Sequence, residues 1–384
     1  MSQHSTPIHQ GQHVDLTTYH VLPWRIVDYL GAGMSATVHE VEDKTNGRRF
    51  AHKIFRPRHG LALARLKQEV KNEMTIIKRL HSHPHIVKLY WSYTRERTFG
   101  MLLTPVASNG DLGAYLQMIQ TTQATITSQQ FSILSRSFGC LASGLAFIHS
   151  QIIRHKDIKP QNILVHNGKM IYTDFGIALD ASEQNTTTTG HPDAFTKRYC
   201  APEVANSKPR NRKSDVFSLG CVFLEIMALL APDFDGGRSD DSVPYWQRVD
   251  TIQNNLIHLG NPDTSSGQMF LICSAMLECR SADRVGADVV LHQVQSLRRS
   301  CSEPTYEFLC EDCERLPSNI TQAIANKGAV KVSAIGFDAR SKGKTDSCEE
   351  QDEKYRVESF GLPSRLAKES QACKSWDLSR HKPG

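Results

Sequence analysis

The chain lacks the marks of a secreted or membrane-spanning protein. Its first twenty residues are polar and histidine-containing, without the basic start and apolar centre of a signal peptide. Its longest apolar run, residues 219–231, is interrupted by Glu225 and is too short to span a bilayer. It also lacks runs of like charge: 45 Lys and Arg against 40 Asp and Glu leave a formal charge of +5, but the basic residues are dispersed. Dispersal argues against a nucleic-acid partner, while the mild positive excess suits phosphate-bearing ligands or an acidic partner. No internal repeat is visible. Cys140, Cys200, Cys221, Cys273 and Cys279 lie singly in apolar segments, as reduced, buried cysteines do. The expectation is an intracellular protein, cytoplasmic with the nucleus left open, and without a membrane span.

What is present is a chain of 384 residues, 39% hydrophobic and 22% charged, able to bury a large core and divide into two or more units. Residues 1–20 carry no hydrophobic period and read as a flexible lead-in. From Trp24 to Phe55 the pattern is β, "WRIVDYL", "ATVHEVE" and "RRFAHKIF", with Asn46-Gly47 as the hairpin turn between the last two. A helical period follows through Leu66, Val70, Met74 and Ile77 and ends at the turn "HSHPH". Strands "IVKLYWSY" and "TFGMLLTPV" come next, and beyond Ser108 the reading is mainly helical. This predicts an α+β architecture, a small sheet unit followed by a larger helical one, with a ligand cleft between them. Residues 298–384 read as an extension, largely disordered, whose final part is rich in Lys, Glu, Ser, Asp and Arg.

Several side chains then ask for a chemical role. Gly31 and Gly33 in "LGAGMSATVHEV" allow close backbone approach to a polyanion at a strand turn. Lys53 lies one strand later. Glu73 sits in the apolar stripe of the first helix, where a carboxylate either reaches water or meets a buried cation; it is preferred over Glu69 as the partner of Lys53.

In this order, Gly-rich turn, strand Lys53, helix Glu73, "HKDIKPQNIL", "TDFG" and "APE", the chain resembles the eukaryotic protein kinase family over residues 21–297. Lys159-Pro160 resembles its serine/threonine branch. The resemblance implies a two-lobed kinase fold, with a small lobe over about 21–104 and a large lobe over about 108–297. It further implies ATP and Mg²⁺ as cofactors and a protein with a Ser or Thr acceptor as partner. Asp157 would orient the acceptor hydroxyl, Lys159 would face the γ-phosphate and Lys53 the α and β phosphates. Asn162 and Asp174 would hold Mg²⁺. Gly31, Ala32 and Gly33 would cover the phosphates, and Val38, Ala51 and Leu164 would enclose adenine. Pro105, through its carbonyl, and Ala107, through its N–H, would bind the adenine edge, and Asp111 the ribose or a basic substrate residue. Phe175 and Gly176 follow Asp174 at the start of the activation segment. Ile77, Leu89, His155 and Phe175 would form an apolar column between the lobes. Glu203 would pair with Arg284, Asp215 would brace the catalytic loop, and Thr196 would bond Asp157 and Lys159. Thr186, Thr187, Thr188 and Thr189 are candidate phosphate acceptors.

Three positions depart from the family pattern: Ala36 at the third glycine, His52 before Lys53, and Lys156 in place of the arginine of HRD. As strand neighbours alternate faces, His52 should point away from ATP. Lysine copies a bidentate phosphate contact poorly, so activity should depend only partly on loop phosphorylation. The departures leave a non-catalytic pseudokinase scaffold as the alternative. Cys301, Cys310 and Cys313 would complete a zinc site with His292, but no second C-x-x-C follows, and free thiols in the extension are preferred; "HSHPH" reads as a turn, not a metal site. Substrate, subfamily and oligomeric state are not encoded in these motifs.

Overall fold

The computed structural model describes residues 8–17, 19–33, 36–57, 63–122, 125–180, 196–231, 234, 243–300 and 307–316. The chain divides into two units, Met1–Ala339 and Arg340–Gly384, and all described residues belong to the first.

Strands β1 (His13–Leu16), β2 (Trp24–Ala32), β3 (Ala36–Asp43), β4 (Arg49–Phe55), β5 (Lys88–Arg95) and β6 (Thr98–Thr104) form one sheet in the order β1-β5-β6-β4-β3-β2. The sheet is antiparallel except at β1, which runs parallel to β5. Part of the expected flexible lead-in is therefore a strand. It is only four residues long, too short for alternation to show, and it is held because Leu16 joins a core of Trp24, Val41, Phe50, Trp91, Tyr93 and Leu102. The β3–β4 connection follows the expected turn, with Gly47 at a φ of 72° that favours glycine.

Alternation along β4 separates two chemistries. His52 is buried on the aromatic side, edge-on to Trp24 at 4.9 Å and with Nε2 3.1 Å from the Tyr93 hydroxyl. Lys53 faces the opposite side. Burial pushes the His52 pKa down to about 3, with smaller contributions from His39 and Arg95. Its neutral form therefore contributes stability that is fully present above pH 6.5 and is lost as pH falls toward about 3, because the unfolded chain takes up the proton first. His52→Phe should reduce the loss of stability between pH 7 and 5 by about 2 kcal/mol, read from urea unfolding at the two pH values.

Helix α1 (Leu63–Leu80) buries Leu66, Val70, Glu73, Ile76, Ile77 and Leu80, so a single carboxylate lies within its inward stripe. The larger lobe is built around α3 (Ser128–Ser150), which follows α2 (Leu112–Thr121) and starts at a capping box between Thr127 and Gln130. Among the described residues α3 is the one helix long and apolar enough to cross a membrane, and 78% of its apolar window is buried within the fold, as in a core helix. Short strands β7 (Ile153–Arg154), β8 (Ile163–His166), β9 (Lys169–Tyr172) and β10 (Leu179–Asp180) form two antiparallel pairs, β7 with β10 and β8 with β9. Helices α4 (Pro202–Ala205), α5 (Lys213–Leu230), α6 (Val249–Leu259), α7 (Ser265–Met276) and α8 (Ala287–Ser300) complete the lobe. A last turn, α9 (Glu311–Glu314), belongs to the extension. The lobes meet where the residues after α1 pair with β9: the Val87 N–H donates to the Tyr172 carbonyl at 3.0 Å and the Tyr172 N–H to the His85 carbonyl at 2.9 Å.

Candidate active site

The site lies between the two lobes, and its first part is an ion triad. Lys53 Nζ donates to Glu73 Oε1 at 2.7 Å and to Asp174 Oδ1 at 2.8 Å. β4 supplies the lysine, α1 the glutamate and the turn after β9 the aspartate, so one cation joins both lobes. Glu69 pairs with Arg65 at the surface, at 3.0 Å. Burial pulls the Lys53 pKa down, but the Asp174 and Glu73 carboxylates outweigh it and raise it overall. The same ammonium draws Asp174 down to about 2 against its burial. Asp174 has φ 59°, a left-handed conformation uncommon outside glycine, which turns its side chain back toward Lys53.

The second part is the catalytic loop between β7 and β8. Asp157 Oδ1 accepts from Thr196 Oγ1 at 2.8 Å, and its Oδ2 accepts from Lys159 Nζ at 2.7 Å and Asn162 Nδ2 at 2.9 Å. Lys159 also donates to Thr196 Oγ1 at 2.8 Å, closing the ring. Pro160 opens a 3₁₀ turn ending at Asn162, and this places the lysine and the asparagine on the same carboxylate. Buried Asp215 holds the loop backbone from below, accepting the N–H groups of His155 and Lys156, both at 2.9 Å, and contacting His149 Nε2 at 3.0 Å. Burial alone would raise the Asp215 pKa; the bond and charge of His149, the charge of His155 and the Lys156 N–H together outweigh it, and the pKa is lowered. Lys156 has φ 71°, so the loop is turned by a strained residue that Asp215 secures.

The other expected positions are distributed as follows. Gly31 has φ 150°, a conformation side-chain-bearing residues rarely adopt, and the Gly33 N–H donates to the Ala36 carbonyl at 2.8 Å; Met34 and Ser35 lie outside the described residues. Val38, Ala51, Leu164, Pro105 and Ala107 are half-buried. The Thr104–Pro105 peptide is cis. Asp111 caps α2 through the Ala114 N–H at 3.0 Å, a role the sequence reading did not assign. His155 and Phe175 pack with ring centroids 4.8 Å apart, and Ile77 is fully buried. Glu203 and Arg284 form a bidentate pair at 2.8 and 3.0 Å. Thr186, Thr187, Thr188 and Thr189 lie outside the described residues.

Arg79, at the last turn of α1, was not singled out from the sequence. It donates to Asp180 Oδ2 at 2.7 Å and to the Gln151 carbonyl at 2.5 Å, tying the helix that carries Glu73 to the segment after Asp174. The only sequence signal was a cation at a helix C-terminus, which is common for dipole reasons alone.

The less-favoured zinc reading is corrected in its partner residues, while Cys310 and Cys313 are free thiols, as the preferred reading had them. Exposed His292 does not join the extension's cysteines, and Cys301 lies outside the described residues. Cys310 and Cys313 instead converge with His85 of "HSHPH" and Cys140 of α3, all four buried. A second correction concerns Cys279, which is disulfide-bonded and not a lone thiol.

A sheet lobe over a helical lobe, with a lysine–glutamate pair above and an Asp–Lys–Asn loop below, defines a class of nucleotide-dependent phosphotransferase folds. The protein kinase domain family matches residues 24–294, and the chain belongs to it. It is similar to the cAMP-dependent protein kinase catalytic subunit PRKX of Homo sapiens, 33% identical over 209 residues, which cover 54% of this chain and 54% of that protein. It is also similar to 3-phosphoinositide-dependent protein kinase 1 of Homo sapiens, 30% identical over 204 residues, 53% of this chain and 35% of that protein. The cAMP-dependent protein kinase catalytic subunit 3 of Drosophila melanogaster is 28% identical over 218 residues, 56% of this chain and 35% of that protein. The chain thus spans about half or less of the length of these relatives.

Proposed function

We propose that the chain is an ATP-dependent serine/threonine protein kinase, with residues 21–297 as its catalytic domain. The observation that carries this reading is the Asp157 ring, in which Thr196, Lys159 and Asn162 converge on one carboxylate beside the Lys53–Glu73–Asp174 triad. Phosphoryl transfer requires little covalent chemistry, and its barrier falls through alignment and neutralisation of charge. Asp157 accepts the hydrogen bond of an incoming hydroxyl and aims its oxygen. Lys159, 2.7 Å from Asp157, offers a cation to the transferring group. Lys53 offers its ammonium to phosphate oxygens, with Glu73 preventing it from swinging away.

Asp174 and Asn162 fit Mg²⁺ by donor chemistry: an ionised carboxylate and an amide oxygen are hard ligands, and Asp174 stays ionised because its pKa is about 2. When bound, the ion neutralises phosphate charge. The serine/threonine assignment rests on Lys159-Pro160. An intracellular setting goes with this reading; the free, buried Cys140, Cys200, Cys221, Cys273, Cys310 and Cys313 suit it, and the disulfide at Cys279 argues the other way.

The test is transfer of the γ-phosphate of MgATP to protein serine or threonine by the purified full chain. Incorporation on those residues supports the reading; nucleotide binding without transfer, after a missing activator has been excluded, supports a pseudokinase scaffold. Within the kinase reading, Glu73→Gln should lower kcat/KM by about 10- to 100-fold, the loss of one charge-assisted hydrogen bond. Glu69→Gln should stay within twofold, about the scale of an exposed pair, in the same steady-state assay.

A further inference from the structure

The corrected cysteine cluster is a site that the kinase reading does not use. His85 and Cys140 are completely buried, and Cys310 and Cys313 are 4% and 5% exposed. Their ligand atoms all lie within 4.8 Å of one another. His85 Nε2 is 3.0 Å from Cys313 Sγ and 3.4 Å from Cys310 Sγ. Tetrahedral zinc, with Zn–S about 2.3 Å and Zn–N about 2.0 Å, sets neighbouring ligands about 3.5–3.8 Å apart, so the quartet needs only small adjustments to hold an ion.

We propose that His85, Cys140, Cys310 and Cys313 form a structural zinc site that pins the C-terminal extension to the large lobe. Three features beyond proximity support it. First, His85 is oriented as a ligand: its Nδ1 lies 2.7 Å from the Met170 carbonyl, and donating there leaves the Nε2 lone pair toward the sulfurs. Second, Cys310 and Cys313 bracket the start of α9 with C-x-x-C spacing, so both reach the same side of one turn. Third, all four donors are buried, so an ion bound there would meet no competing water ligand. Soft sulfur ligands with one imidazole favour zinc over magnesium or calcium, and four protein ligands leave no open position, which is the structural type of site.

The surrounding contacts show what the ion would hold. Phe308 is buried against Phe138, and the Gly139 N–H donates to the Phe308 carbonyl at 3.0 Å. A Cβ at Gly139 would stand 2.1 Å from that carbonyl oxygen, so the glycine permits the segment to lie on α3. Arg136 pairs with Glu307 at one end of the segment. His85 belongs to the link after α1, so the ion would join the extension, α3 and the base of the helix carrying Glu73. Cys310 and Cys313 lie beyond residues 24–294, outside the stretch that matches the kinase family.

The test is metal content and spectroscopy of the full chain purified without chelators, a readout independent of phosphotransfer. Stoichiometric zinc, replaceable by Co²⁺ with thiolate-to-cobalt charge-transfer bands and tetrahedral d–d bands, is the expected result. Cys310→Ser and Cys313→Ser should weaken zinc binding by more than the about 10- to 100-fold cost of losing an outer partner. Cys273→Ser, at a buried free thiol outside the cluster, should keep full occupancy. If the ligand variants do not fold, the cobalt spectrum of the unaltered chain decides. A chain that takes up neither ion, or that carries Cys310 in a disulfide by non-reducing peptide mapping, overturns the proposal.

Discussion

Asp157→Asn should lower phosphotransfer by about two to four orders of magnitude, the range associated with loss of a positioned general base. The substitution is nearly isosteric, and the oxygen left behind can still accept from Lys159 or Thr196, so the loop should keep its shape. The change is chemical: an amide neither orients an acceptor hydroxyl by a charged hydrogen bond nor takes up its proton. Nucleotide affinity should change little, because the proposed reading assigns Asp157 to the acceptor hydroxyl and Lys53 and Asp174 to the nucleotide phosphates. Steady-state kcat, read beside nucleotide affinity by calorimetry, separates the two. A kcat within tenfold of the unaltered chain would remove Asp157 from the proposed chemistry. Loss of nucleotide binding instead would make the residue a structural support.

The largest expected loss of stability is at Arg284. Its side chain is fully buried and donates to both Glu203 oxygens. It also donates to the carbonyls of Glu278, Lys213 and Cys279, and its guanidinium lies 5.0 Å from the centre of the Phe217 ring. Burial alone would raise the Glu203 pKa, yet hydrogen bonding and charge from Arg284 leave it lowered. Arg284→Ala would leave a buried carboxylate supported only by Ser214 and backbone, at a cost of about 3–5 kcal/mol. For a domain of this size that corresponds to a fall in Tm of about 5–9 °C, read by calorimetry. Replacing Glu203 by Ala as well should cost less than the sum of the single changes, by about 0.5–3 kcal/mol. Additive losses would show that the two side chains act independently, against the geometry. The effect should reach the active site, because Glu203 at α4 anchors the chain just after Thr196, whose hydroxyl closes the Asp157 ring.

Much of this architecture is legible in the sequence because its determinants are local. A period of two along β4 separates His52 from Lys53, and a helical period in α1 puts Glu73, not Glu69, in the buried stripe. The catalytic loop is short enough that Asp157, Lys159 and Asn162 meet through one proline-opened turn. Other features could not be read this way. β1 is too short for its alternation to stand out, and only the parallel edge of β5 and the Trp24–Trp91 core explain it. The Arg79–Asp180 pair joins elements whose separation along the chain says nothing of their distance.

The quartet of His85, Cys140, Cys310 and Cys313 draws that boundary most sharply. By itself the sequence determined the order of the kinase motifs, the residue types on each buried face and the C-x-x-C pair, all of which depend on spacing within a strand, a helix or a turn. Only the tertiary structure decided that this pair meets His85 and Cys140, and not His292. The packing of Phe308 along α3 and the junction of α1 with β9 bring those side chains together, and contacts of that kind are set by the whole core, not by any local period.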